Sequence, residues 1–169
     1  MHKPNKITTF AVVMTKIRKF IKIRQQNKNI MILRTSYFNQ LLHLRDQDLI
    51  KVVTGIRRCG KSTLLHAFKQ HLVTDGVAAD AICFLNFEER ENAHFQSWEQ
   101  VYDFIIGNLS AAAKRYVFLD EVQLIPQFEK LVDALYVKKD IDLYITGSNA
   151  YLLSSELSTM LSGRYIAIN

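Results

Sequence analysis

Cysteine is scarce in this chain. Cys59 and Cys83 are the only two among 169 residues. Two thiols do not make a disulfide framework, and neither has metal-ligand spacing, so a reduced, cytoplasmic setting is the simplest expectation. The five histidines form no H-E-x-x-H or C-x-x-C…H set, which argues against a zinc site. No apolar run approaches the roughly 20 residues of a membrane span. There is no N-K-x-D tetrad to read guanine. Proline and glycine are few as well, two and six residues, so the chain is neither low-complexity nor collagen-like.

Acid is missing from the first 30 residues. They carry eight lysines and arginines, among them Lys16, Arg18, Lys19, Lys22 and Arg24. The remaining 139 residues hold 14 basic and 16 acidic groups, so the formal charge of +6 belongs to the N-terminal segment alone. Three readings of residues 1–30 stand side by side. They are a basic arm for nucleic acid or acidic lipid, a solvated and poorly ordered extension, or a segment upstream of a natural start at Met31. Residues 31–169 are long enough to bury one core.

What is present is a complete G-x-x-x-x-G-K-[ST] pattern, Gly55-Ile56-Arg57-Arg58-Cys59-Gly60-Lys61-Ser62, continued by Thr63. Chance gives this pattern in a chain of this length on the order of once in a hundred. Gly55 and Gly60 let the backbone curl around a phosphate and present its N–H groups. Lys61 is a mobile point charge for the β- and γ-phosphates. Ser62 offers a hydroxyl to the Mg²⁺ that bridges them. The apolar run 49–54 before the loop predicts a strand. Leu64, Leu65, Phe68 and Leu72 after it predict a helix that stops at Asp75-Gly76. Such a helix points its positive end at the anion.

The rest of the chain alternates. A short helix is expected over 35–46, where it either flanks a nucleotide base or packs as ordinary core. Strands are expected at 81–87, 116–121, 141–146 and 165–168. Ser97 and Gln100 predict a capping box for a helix over 97–109. Pro126 predicts the start of a helix ending near Lys138-Lys139. A last helix spans 152–161 and stops at Gly163. This βα alternation predicts an α/β fold with a parallel five-stranded sheet covered by helices on both faces. The run Tyr116-Val117-Phe118-Leu119-Asp120-Glu121 fits a Walker B strand. Asp120 is the expected Mg²⁺ ligand and Glu121 the general base that polarises the attacking water. At the next strand tip, Ser148 and Asn149 are candidates to sense the γ-phosphate or position water, or to cap the following helix.

Four segments in order carry a family resemblance: Arg57 to Thr63, Leu119-Asp120-Glu121-Val122-Gln123, Thr146-Gly147-Ser148-Asn149 and Leu161-Ser162-Gly163-Arg164. Over residues 32–168 the chain resembles the bacterial and archaeal AAA-type ATPases related to the archaeal and STAND-like ATPases. The resemblance implies a P-loop NTPase sheet with an added strand between the two Walker strands, binding of ATP and Mg²⁺, and slow hydrolysis to ADP and phosphate. It also implies that Arg164 either reaches the γ-phosphate of a neighbouring subunit or only pairs with a surface carboxylate. Members of that family usually continue beyond this point, so a lid and a further C-terminal region are expected to be missing. A homo-oligomer is expected in the full-length form, with an unknown protein or nucleic-acid partner. Three function classes remain: an ATPase that drives a partner, a nucleotide-gated binding switch with little turnover, and a small-molecule kinase. Glu121 after Asp120, and the want of an arginine-rich lid, count against the kinase.

Overall fold

The computed structural model describes residues 35–56, 59–148 and 161–168. The expectations for residues 1–30, Arg57, Arg58 and Asn149, and all of the expected 152–161 helix except Leu161, lie outside the described residues. The elements are α1 (Thr35–Leu44), β1 (Ile50–Val53), α2 (Lys61–Thr74), β2 (Ile82–Asn86), α3 (Trp98–Asn108), β3 (Arg115–Asp120), α4 (Phe128–Tyr136), β4 (Ile141–Thr146) and β5 (Tyr165–Ile168).

Among the described residues, the strands make one sheet in the order β2-β3-β4-β1-β5, every neighbouring pair parallel. This is the expected α/β sheet, with β4 as the added strand between β1 and β3. The step from β1 to β2 crosses the sheet one way, and every later step returns the other way. Because parallel crossovers are right-handed, the reversal sends α2 to one face and α3 and α4 to the other. It also opens a crevice beyond the carboxyl end of β1, where open α/β sheets bind ligands.

Strand alternation fills the two faces differently. Ile50, Val52, Leu85, Val117, Leu119, Leu143 and Ile145 pack with Val101 and Ile105 of α3 and Leu131, Val132 and Leu135 of α4. On the other face Phe84, Phe118 and Tyr144 form a stacked row, and Phe68 of α2 covers it. Phe38 of α1 meets Phe68 edge-on at 5.8 Å and ties α1 to α2. Each fully buried side chain of this size contributes about 1.5–3 kcal/mol relative to exposure.

At the edge where the strands begin, polar groups are buried. Lys51 pairs with Asp142, both fully buried. Asp142 also accepts from Tyr144 Oη and from the Asp46 N–H, each at 2.8 Å, and Lys51 Nζ donates to the Gln47 carbonyl at 2.6 Å. The turn entering β1 is thereby tied to β1 and β4.

The helix ends agree with the sequence in one case and differ in two. At α2, Gly76 takes φ 97, Val77 N–H donates to Leu72 O at 3.0 Å and Gly76 N–H to Val73 O at 3.2 Å. That is the Schellman closure expected of Asp75-Gly76. At α3, the Ser97 side chain makes no cap bond, and Gln100 Oε1 instead accepts from the Gln96 N–H at 2.8 Å. Pro126 does not open α4. The helix starts at Phe128 after Gln127 in a left-handed conformation, φ 55, which swings the chain into the helix two residues later than proline alone suggests.

Candidate functional site

The loop after β1 needs its glycines. Gly55 has φ 147, and a Cβ there would lie 2.8 Å from Cys59 Sγ. Gly60 has φ 91 and forms the left-handed entry to α2. Cys59 N–H donates to the Ile56 carbonyl at 3.3 Å, tightening the curl. Ile56 stands out into solvent, 78% exposed. Lys61, Ser62 and Thr63 form the first turn of α2, with Lys61 buried and Ser62 and Thr63 half-buried.

The tips of β3 and β4 lie beside this loop. Asp120, the last residue of β3, is fully buried. Leu119 pairs with Ile145, which sets Asp120 beside Thr146. Thr146 Oγ1 donates to Asp120 Oδ1 and accepts from the Glu121 N–H at 2.9 Å. One hydroxyl therefore fixes both residues of the Asp-Glu pair. Glu121 Oε1 lies 3.5 Å from Lys61 Nζ, and Gln123 Nε2 donates to Glu121 Oε2 at 2.7 Å. Burial raises the Asp120 pKa, and the nearby Ser62 and Thr146 hydroxyls work against that shift.

Asp120 Oδ2 is buried with no hydrogen-bond partner among the described residues. That carboxylate oxygen and the Ser62 hydroxyl, which acts on the same carboxylate, offer hard-oxygen ligands that suit Mg²⁺, which binds through one or two carboxylates plus phosphate oxygens. The residues therefore fit the ion expected from the sequence. Among the described residues, no group of three or more histidines, cysteines or carboxylates has the form of a metal site.

The structure brings Gly55, Ile56, Cys59, Gly60, Lys61, Ser62, Thr63, Asp120 and Glu121 to one edge of the sheet. Ser148 follows β4 at the same edge, half-buried. Arg164 is not brought there. Its carbonyl accepts from the Ile50 N–H at 2.8 Å, at the edge where β1 and β5 begin. Its guanidinium pairs with Asp133 at 2.7 Å and lies over the Tyr136 ring. Two contributors escaped the sequence reading. Thr146 was visible as the last residue of a strand and the first of Thr146 to Asn149, but its contact with Asp120 depends on the β3–β4 register. Gln123 was visible as part of Leu119 to Gln123, but its contact with Glu121 depends on the turn between them.

Comparison with known proteins fits this geometry. The family described as AAA domain matches residues 47–169. An uncharacterized protein of Haemophilus influenzae is 42% identical over 139 residues, covering 82% of this chain and 35% of that protein. An uncharacterized protein of Methanocaldococcus jannaschii is 30% identical over 116 residues, covering 68% of this chain and 24% of that protein. The chain thus spans about a third or less of the length of these relatives. Among solved structures, the fold is similar to a chain of Drosophila ORC bound to AT-rich DNA and Cdc6, with TM-score 0.51 and 11% identity over 99% of this chain and 61% of that one. It is also similar to Saccharomyces cerevisiae RIF2, with TM-score 0.53 and 12% identity over 83% of this chain and 56% of that one. In sequence as in fold, the chain belongs to the AAA domain family and is an ATPase-type nucleotide-binding domain.

Proposed function

We propose that the chain binds ATP with Mg²⁺ at the Gly55–Ser62 loop and hydrolyses it to ADP and phosphate, coupling the nucleotide state to a partner. The observation that carries this reading is the meeting of Lys61, Asp120 and Glu121 beside the loop, with Asp120 Oδ2 left without a hydrogen-bond partner among the described residues. In this reading the Gly55–Ser62 loop meets the triphosphate through its backbone N–H groups, and Thr63 follows in the helix that points its positive end there. Lys61 neutralises the β- and γ-phosphates. Ser62 and Asp120 would hold Mg²⁺, which would offset the charge that develops on the phosphate oxygens. Glu121 takes a proton from the water as the water oxygen bonds to the γ-phosphorus and the bond from that phosphorus to the β–γ bridging oxygen breaks, the electron pair leaving with ADP. Ser148, after β4, and Asn149, which follows it in sequence, are proposed to orient that water or the γ-phosphate.

The Lys61–Glu121 contact favours a second reading, a nucleotide-gated switch. The phosphate-binding lysine and the base lie 3.5 Å apart, so phosphate and Glu121 compete for Lys61. Phosphate must draw Lys61 away, so nucleotide arrival changes the surroundings of the whole 121–124 turn. Turnover then serves to reset the switch.

Glu121→Gln tests the assignment. The variant is expected to keep wild-type ATP affinity by calorimetry and to lower the hydrolysis rate by about 10²-fold or more, the usual worth of a general base. Turnover at the wild-type rate would show that Glu121 is not the base.

A further inference from the structure

The turn leaving β3 is built around one side chain. Glu121 takes a left-handed backbone, φ 55 and ψ 47, a conformation uncommon outside glycine. Its N–H is held by Thr146, and its carbonyl accepts from the Leu124 N–H at 3.1 Å. The reversal winds Val122–Leu124 into a short 3-10 turn and returns Gln123 to the Glu121 side chain. The two carboxylate oxygens then have separate neighbours, Lys61 near Oε1 and Gln123 on Oε2.

The other end of the Gln123 amide serves nothing visible. Gln123 Oε1 is buried with no hydrogen-bond partner among the described residues. A reversed amide would set its oxygen against the carboxylate, so the Glu121 contact fixes the orientation. A stranded buried acceptor is unfavourable, and methionine, of similar length, fills such a place without one. What glutamine adds over an apolar side chain is the N–H on Glu121.

We propose that Gln123 is a positioning residue for hydrolysis. Its amide holds Glu121 Oε2, so that when Lys61 turns to the phosphates the free Oε1 faces the water whose proton it takes. The proposal rests on Glu121 being the general base. A base has to lie within hydrogen-bond reach of its proton, and a misplacement of about 1 Å can cost 10²-fold in rate.

The experiment compares the full 169-residue chain, Gln123→Met and Glu121→Gln in single-turnover hydrolysis of ATP–Mg²⁺, with ATP affinity by calorimetry and thermal unfolding on each. Gln123→Met is expected to hydrolyse about 10-fold to 100-fold more slowly. Its ATP affinity is expected to stay within about twofold of wild type, the mark of a transition-state effect. Its Tm should hold or rise, because the stranded acceptor is gone. Wild-type turnover in Gln123→Met, while Glu121→Gln is slow, overturns this proposal alone. A lowered Tm together with weakened ATP binding assigns Gln123 to the fold and overturns it too. Equal turnover in wild type and Glu121→Gln overturns the general-base reading, and this proposal falls with it.

Discussion

Lys51 lies in the middle of a buried strand, and its ammonium is surrounded by Asp142, the Gln47 carbonyl and the face of the Tyr144 ring. Burial lowers its pKa, and the Asp142 carboxylate opposes that shift. Tyr144 is pushed well above the ordinary phenol range, by burial and then by the same carboxylate. A pair this deep is costly to break from one side. Asp142→Ala is expected to destabilise the chain by about 3–5 kcal/mol, because it strands the lysine charge. Lys51→Met combined with Asp142→Leu is expected to recover most of that stability. Denaturant unfolding of the three proteins checks both outcomes, and an Asp142→Ala variant as stable as wild type would show that the pair does not anchor the sheet. Nothing in the local pattern points to this pair, whose members are 91 positions apart. The nucleotide-loop residues were legible because phosphate chemistry fixes their types and spacing within eight positions. Thr146 and Gln123 were not, since each depends on a register or a backbone turn formed only on folding.

At the scale of elements, hydrophobic periodicity carried most of the fold. Every described strand and helix stands within a few residues of where apolar spacing put it, and β4 and β5 keep their expected bounds. The ends were less legible. Asp75-Gly76 closes α2 as expected, because a glycine in the left-handed region answers a backbone requirement. The expected box at Ser97 does not form, because Gln100 reaches one residue further back, to Gln96. Pro126 sits before α4 without starting it, since Gln127 must first reverse the chain. Alternation implied a parallel sheet with helices on both faces. The order β2-β3-β4-β1-β5 followed from the family resemblance only as far as the added strand between β1 and β3.

At the scale of the whole molecule, two expectations reach past the described residues. The charge excess of residues 1–30, with no clear periodic apolar face, motivates the proposal that they lie outside the folded core. Deleting them is expected to shift the Tm by less than about 2 °C, which is about 1 kcal/mol or less for a chain of this size. A larger drop in the melting curve would place them in the core. A trans role for Arg164 belongs to an assembly, because within this chain the arginine stands at the opposite edge of the sheet from the loop, paired with Asp133.

The central claim is that the Gly55–Ser62 loop holds the triphosphate, and calorimetry of ATP–Mg²⁺ binding to wild type and Lys61→Ala tests it most directly. Removing a charge-assisted contact worth about 1.5–3 kcal/mol is expected to weaken binding by about 10-fold to 100-fold or abolish it, with the thermal unfolding curve unchanged. Equal affinity in the two proteins would contradict the account.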